Sequence, residues 1–415
     1  MTETARPYNG RMEIFMQNVA ILGFGTVGSG VAQVLTENAE KMTASAGQEI
    51  KLKYIVDIRQ FPDSPFAPLF TDDFSTVEND PEVDIVIETI GGVKAAYDFT
   101  LRSLKAGKSV VTSNKELVAT KGTELMRIAE ENGVSYLFEA SVGGAIPVLR
   151  PIKECLTADR ISEIYGILNG TTNFILTEMY QHGSSFSSAL SRAQELGYSE
   201  LNPSADIDGH DACRKISILA SLMTGRGIHP SLVPAEGITG VTAEDVEFAG
   251  LAGYVIKLLG RAVMGPDGKV CAYVAPHLVK SGNMLSGVDG VMNGIVVNCN
   301  MSGNIMFYGA GAGMLPTAGA VAADVVEIAR DKKCGGIYAW EEDDGNTAGD
   351  PQELTGSWYV RAEAGADELK KLFRDMRFIG DKDGKTAFIT CEHSRLEMDK
   401  LLKDFSVLSM FRILD

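Results

Sequence analysis

The stretch Gly197–Lys215, GYSELNPSADIDGHDACRK, holds the densest set of side chains able to do chemistry. Asp211 and Lys215 stand four apart, which puts them on one face of a helix. A carboxylate beside an amine holds the amine in place, and burial tunes that amine toward proton transfer. Glu200 and Asp206, just upstream, are then free to hold a cationic group on a substrate. Asp208 reads as the helix N-cap, with Ala212, Ile216, Leu219 and Met223 recurring at helical spacing behind it. The plain competitor is an acidic surface loop with an ordinary ion pair. His210 is expected to point the other way around the helix.

A second set lies near the start of the chain. Gly23-Phe24-Gly25-Thr26-Val27-Gly28 follows the apolar run Val19–Leu22 and precedes a helical pattern through Val31, Val34 and Leu35. This is GxGxxG in its required context: a tight turn, a close backbone approach for a pyrophosphate, and a helix N-terminus aimed at the phosphates. The next apolar run ends in Asp57, placed to meet ribose hydroxyls, whereas Arg59 would suit a 2′-phosphate, so NAD and NADP both stay open. Thr89 follows the run Val83–Glu88, and Ser113 and Lys115 follow Ser109–Thr112. Ligands of open α/β sheets sit beyond such strand ends, which makes these residues candidates for the nicotinamide side.

Positioning these groups requires three kinds of element. Residues 18–150 read as alternating strands and helices of a dinucleotide-binding domain, completed by 314–340. Residues 151–313 turn β-rich and read as an α+β substrate-binding and dimerisation domain with an antiparallel sheet. Its glycine-rich loop, Gly309–Gly313, would return the chain to the cofactor through Gly311. Residues 341–355 are acidic and turn-rich, as in a linker. Residues 356–415 read as a small ferredoxin-like unit, and residues 1–17 as a disordered extension.

Bulk properties exclude several classes. The chain has 415 residues, is 45% hydrophobic, and carries a formal charge of −17 with a pI near 4.8 and a mean hydropathy of +0.03. Such a charge opposes nucleic acid and anionic membranes, and no apolar run is long enough to span a bilayer. Six scattered cysteines without CxxC fit reduced thiols in a cytoplasm.

The motifs GFGTVGSG, VTSNKELVA, EASVGGAIPVLR, GILNGTTNFILTEM and GYSELNPSADIDGHDACRK occur in this order. Together they resemble the homoserine dehydrogenases over roughly residues 19–332. The resemblance implies NAD(P)-dependent interconversion of L-homoserine and L-aspartate 4-semialdehyde in threonine and methionine biosynthesis. It implies Glu200 and Asp206 at the substrate, Asp211 and Lys215 as the catalytic pair, and Lys115 as a second active-site lysine. Tyr198 and Thr171 are counted with the substrate-binding residues. It further implies a monovalent cation, sodium or potassium, at Glu139, Val142, Gly144 and Ile146, a hard-oxygen set, and a homodimer or homotetramer. The last unit resembles a shortened ACT domain. Its first turn, Glu363–Asp367, lacks a proline, and only Arg377–Gly380 is available for its second strand. The expectation is therefore assembly, with weak or absent threonine inhibition. Another amino-acid-pathway Rossmann oxidoreductase and a non-catalytic nucleotide and amino-acid sensor are the competing readings.

Overall fold

The structure, a computed structural model, describes residues 16–330 and 338–415. The 1–17 extension therefore lies mostly outside the described residues, although Met16 and Gln17 already belong to the first strand.

Short apolar runs separated by amphipathic helices build a parallel sheet. Its elements are β1 (Met16–Leu22), α1 (Thr26–Glu37), α2 (Ala39–Ala46), β2 (Glu49–Val56), β3 (Phe70–Thr71), α3 (Phe74–Glu78), β4 (Val83–Glu88), α4 (Lys94–Lys105), β5 (Ser109–Thr112), α5 (Lys115–Glu131) and β6 (Tyr136–Leu137). The strand order is β3-β2-β1-β4-β5-β6, all parallel. Chain direction across the sheet reverses between β1 and β4, where crevices for ligands form. The glycine loop leaves β1 at that point. Gly23 sits at φ +91, and a Cβ on Gly28 would lie 1.9 Å from the Gly23 carbonyl oxygen, so only glycine lets α1 start there.

After α6 (Leu149–Glu154) the chain enters a second sheet. Its first half is β7 (Ile161–Ile167), α7 (Gly170–His182), α8 (Phe186–Glu195), α9 (Ser204–Ile207), α10 (His210–Thr224), α11 (Ala243–Ala252), β8 (Tyr254–Met264), β9 (Val270–Lys280), β10 (Met292–Cys299) and β11 (Gly303–Ala310). Strands β11-β10-β7-β8-β9 pair antiparallel, and α10 packs its Ala212, Ile216 and Leu219 face into the core above them. Helix α12 (Met314–Arg330) then returns to the first domain and packs against α1.

The remaining elements are β12 (Trp358–Ala362), α13 (Ala366–Leu372), β13 (Arg377–Lys382), β14 (Lys385–Ile389), α14 (Arg395–Leu401) and β15 (Val407–Leu414). They make a βαββαβ unit with strand order β15-β12-β14-β13 and a small core of its own around Trp358, Val360, Leu369, Phe388 and Met398. This sheet is not separate. β15 pairs parallel with β9, Arg412 opposite His277, so nine strands form one continuous sheet. A buried network reinforces the junction. Asp245 on α11 accepts from Arg361 Nε at 2.8 Å, Tyr359 Oη at 3.0 Å and Ser409 Oγ at 2.8 Å.

Three local expectations need correction. The cap of α10 is Gly209, at φ +84, not Asp208; Asp208 instead ends α9 and accepts from the Ser204 hydroxyl. The second strand of the C-terminal unit has six residues rather than four, because Asp383 and Gly384 both adopt positive φ and close a tight β13–β14 hairpin. Its sheet is therefore not truncated. The 341–355 stretch lacks strands but is tied down: Val270 N–H donates to the Thr347 carbonyl, and Thr347 and Pro351 are buried.

Candidate active site

Three elements bring the charged residues together. Helix α5 begins at Lys115, capped by Asn114, whose carbonyl accepts the Leu117 N–H while its amide holds the Ile90 and Gly92 carbonyls. Helix α10 carries Asp211 and Lys215 one turn apart. Helix α7 is capped by Asn169. The adjacent pair Arg214–Glu116 reaches 3.5 Å across α10 and α5 and sets the two helices in register.

Asp211 sits at the centre. One oxygen meets Lys115 Nζ at 2.7 Å; the other meets Lys215 Nζ at 2.8 Å and the Asn169 amide at 2.9 Å. Burial alone would raise the Asp211 carboxyl, but the two ammonium groups outweigh it and hold the group below the usual carboxylate range. Lys215 is almost fully buried, and that burial pulls it below the ordinary lysine value, against the attraction of Asp211 and with the help of Lys115. Its Nζ also donates to the Leu168 carbonyl at 2.6 Å. As a neutral amine, Lys215 thus has both N–H donors spent on protein acceptors and its lone pair left for the cavity. Asn169 holds Asp206 as well, at 2.7 Å, and burial raises the Asp206 carboxyl despite that bond.

These groups line a cavity of about 510 Å³ together with Thr26, Val27, Ser113, Thr171, Tyr198 and Gly311. Thr171 donates to the Tyr198 carbonyl at 2.6 Å and pins the loop that bears it. The same space therefore meets the end of the glycine loop on one side and the Asp–Lys cluster on the other. Ser141 also lines it, and its buried hydroxyl has no partner among the described residues.

Not every expected residue is at the cavity. Glu200 is exposed and outside its lining, and His210 is exposed on the far side of α10. Thr89 turns its hydroxyl into the glycine loop, donating toward the Leu22 and Gly23 carbonyls. Asp57 and Arg59 line a separate cleft of about 370 Å³ with Phe61 and Phe70. Asp57 accepts the Phe24 N–H at 2.7 Å, and bonds from Arg59 hold its carboxyl down to about 2. Asn169 and Ser141 are the additions; the NGTTN run was a visible signal for Asn169, whereas nothing local marks Ser141.

The expected cation ligands do not fit as a set. Both Glu139 oxygens are taken: the N–H groups of Val148, Leu149 and Arg150 and the Tyr338 hydroxyl donate to them at 2.6–2.8 Å. Four donors fill the lone pairs of a carboxylate, and the group caps α6. The carbonyl oxygens of Val142, Gly144 and Ile146 accept no hydrogen bond among the described residues, so only that half of the set suits a hard cation.

A family model described as homoserine dehydrogenase matches residues 147–326, and one described as its NAD binding domain matches residues 23–139. A homoserine dehydrogenase of Neisseria gonorrhoeae is 41% identical over 84% of this chain and 82% of its own length. The crystal structure of a homoserine dehydrogenase from Thiobacillus denitrificans superposes with a TM-score of 0.86 at 33% identity, covering 97% of this chain and 99% of that one. A hyperthermophilic archaeal homoserine dehydrogenase in complex with NADPH gives 0.64 at 27% identity, covering 75% and 97%.

Proposed function

The chain belongs to the homoserine dehydrogenase family, and from that premise we propose how its own residues carry out the NAD(P)-dependent interconversion of L-homoserine and L-aspartate 4-semialdehyde. The observation that carries the reading is Asp211 bridging Lys215 and Lys115 in a cavity shared with the glycine loop. The nicotinamide, when bound, supplies or takes up the hydride. Lys215 then takes the hydroxyl proton during oxidation and returns one to the carbonyl oxygen during reduction. Asp211 orients it, and Lys115 polarises the oxygen. Asn169 locks Asp211 and Asp206 relative to one another. Asp206 holds the substrate ammonium, and Glu200 joins it when the 198–202 loop closes over the substrate. A substrate lacking that ammonium leaves the Asp206 carboxylate with no counter-charge from the substrate and is rejected.

Sheet order supports an ACT-like reading of the C-terminal unit, and we assign it a role in assembly into a homodimer or homotetramer. The absent proline in its first turn still argues for weak threonine inhibition; the complete β13 removes the second reason. A steady-state assay with L-homoserine, run with NAD⁺ and NADP⁺ in parallel, tests the catalytic reading. Absence of turnover with both would sink it, and equal turnover of simple alcohols would sink the role of Asp206.

A further inference from the structure

The ends of β4 and β5 are joined by a closed ring of four hydrogen bonds. Glu88, the last residue of β4, accepts the Ile90 N–H on one carboxylate oxygen and the Thr112 hydroxyl on the other, each at 2.6 Å. Thr112 ends β5 and stands opposite Glu88 in the ladder. Its oxygen accepts the Asn114 N–H at 2.9 Å, and the Asn114 amide donates back to the Ile90 carbonyl at 3.1 Å. The next residue is Lys115, the first of α5, whose Nζ meets Asp211 at 2.7 Å. Thr89 lies between two members of the ring but is held separately. Its N–H and hydroxyl donate to the Leu22 and Gly23 carbonyls of the glycine loop.

A carboxyl is a costly choice at position 88. The residue is fully buried, and burial pushes its carboxyl up, with no cation among the groups bonded to it. Packing alone would be served by an apolar side chain, as at Val86 two residues earlier on the same face. What the carboxyl adds is a pair of acceptors aimed at two different strand ends. Those ends lead straight to Asn114, the cap of α5, and to the lysine that follows it. We propose that Glu88 is a positioning residue: through Thr112 and Asn114 it fixes the first turn of α5 and so aims Lys115 at Asp211. The inference rests on the catalytic role assigned to Lys115 above. A misplacement of about 1 Å at a reacting group can cost about a hundredfold in rate, so a loosened helix start is felt in kcat. The glycine loop keeps its own ties through Thr89, so cofactor binding should be spared.

Thr112→Val in the full-length protein removes one hydroxyl from the ring and keeps the β-branched shape. It should lower kcat for homoserine oxidation by about tenfold or more, while NAD(P)H affinity, followed by fluorescence, stays within twofold. Thr112→Ser restores the hydroxyl and should recover kcat to within threefold of the wild type. A double-mutant cycle separates positioning from a general loss of structure. In a Lys115→Ala background, Thr112→Val should change the residual kcat by less than twofold, because the group it aims is gone. Glu88→Gln, which keeps one acceptor, is the second variant should Thr112→Val misfold, and should behave in the same way. Acylation of Lys115 by acetic anhydride, quantified by peptide mass spectrometry, needs no turnover. Released from Asp211, the amine is open to the reagent and should label at least threefold faster than in the wild type. A kcat within twofold of the wild type in the folded variants, an equal fold-loss with and without Lys115, or unchanged labelling would each overturn the proposal. A loss under threefold in Lys115→Ala itself would instead sink the catalytic role of Lys115. The labelling arm would then still decide whether the ring aims that side chain.

Discussion

Replacing Asp211 with Asn tests the central arrangement most directly. The variant keeps the size of the side chain and one acceptor but removes a buried charge that meets two ammonium groups, at 2.7 and 2.8 Å. Unit charges 2.8 Å apart attract by about 6 kcal/mol at an effective dielectric near 20. Only part of this appears as a pKa change, because burial already opposes the Lys215 charge. A quarter of it still equals about one pK unit. The sign is fixed: Asp211 holds the proton on Lys215, so its removal lowers the lysine further. Homoserine oxidation needs the neutral amine, and the acid limb of kcat/KM should move to lower pH by at least about one unit. The plateau should fall by roughly two orders of magnitude or more, since the amine loses its orienting partner. Loss of one member of a buried pair should also cost about 3–5 kcal/mol of stability, visible as a lower Tm. The assay is a pH series of initial rates, with cofactor affinity followed by NAD(P)H fluorescence as the control for an intact first domain. An acid limb that stays in place, or moves to higher pH, would refute the assignment of Lys215 as the titrating base and Asp211 as its partner.

Other perturbations are simpler. Lys215→Ala should lower kcat by about two to four orders of magnitude with cofactor binding kept; a loss under threefold in the same rate assay would contradict it. Asp206→Asn and Glu200→Leu should each raise KM for homoserine far more than KM for the cofactor. The effect should be larger for Asp206, which already lines the cavity; equal effects on both constants would point to a disturbed loop instead. Gly25→Ala and Gly28→Ala should separate. No described protein atom lies within 4 Å of a Cβ at 25, whereas one at 28 meets the Gly23 carbonyl at 1.9 Å. The first should keep its Tm and lose cofactor affinity in a fluorescence titration, while the second should lose both. Glu88→Gln tests an isolated buried carboxyl that burial pushes up to about 7, against the bonds from Thr112 and Ile90. A raised folded-state pKa contributes stability below the unfolded value and loses it as pH rises through about 7. The variant should therefore gain on the wild type by up to about 3 kcal/mol between acid and mildly alkaline pH in denaturant titrations.

Much of this was legible in the sequence, for stated reasons. The glycine loop and the Asp211–Lys215 pair are local: spacing and flanking apolar runs fix them without knowledge of the rest of the chain. Lys115 was only a strand-end lysine; its role depends on α5 and α10 lying side by side, a contact between residues 96 positions apart. Asn169 needed the same tertiary information, since its two carboxylate partners come from a different segment. Glu139 shows the opposite error. A carboxylate among glycines suits a cation, and only the fold reveals that backbone N–H groups of α6 already occupy it. Capping preference favours Asp208, but Gly209 is the residue that readily adopts the left-handed turn between α9 and α10. The polar turn from Asp381 to Lys385 was legible, but not that Asp381 and Lys382 extend β13 and narrow the turn to Asp383-Gly384.

The β9–β15 ladder has a consequence for anyone who shortens this protein. Cutting the chain before Trp358 would strip β15 from β9 and leave its buried end, His277–Val279, as an open sheet edge. Asp245 would lose Arg361, Tyr359 and Ser409 at once and keep only the bonds from Thr242 at the start of α11. An unpaired apolar edge is a template for pairing with other chains. The trimmed enzyme should aggregate, or recruit a second copy along that edge, before it reports anything about regulation. Deletion is therefore a poor way to ask what the C-terminal unit does. Point changes to side chains of that unit leave the ladder closed and ask the same question.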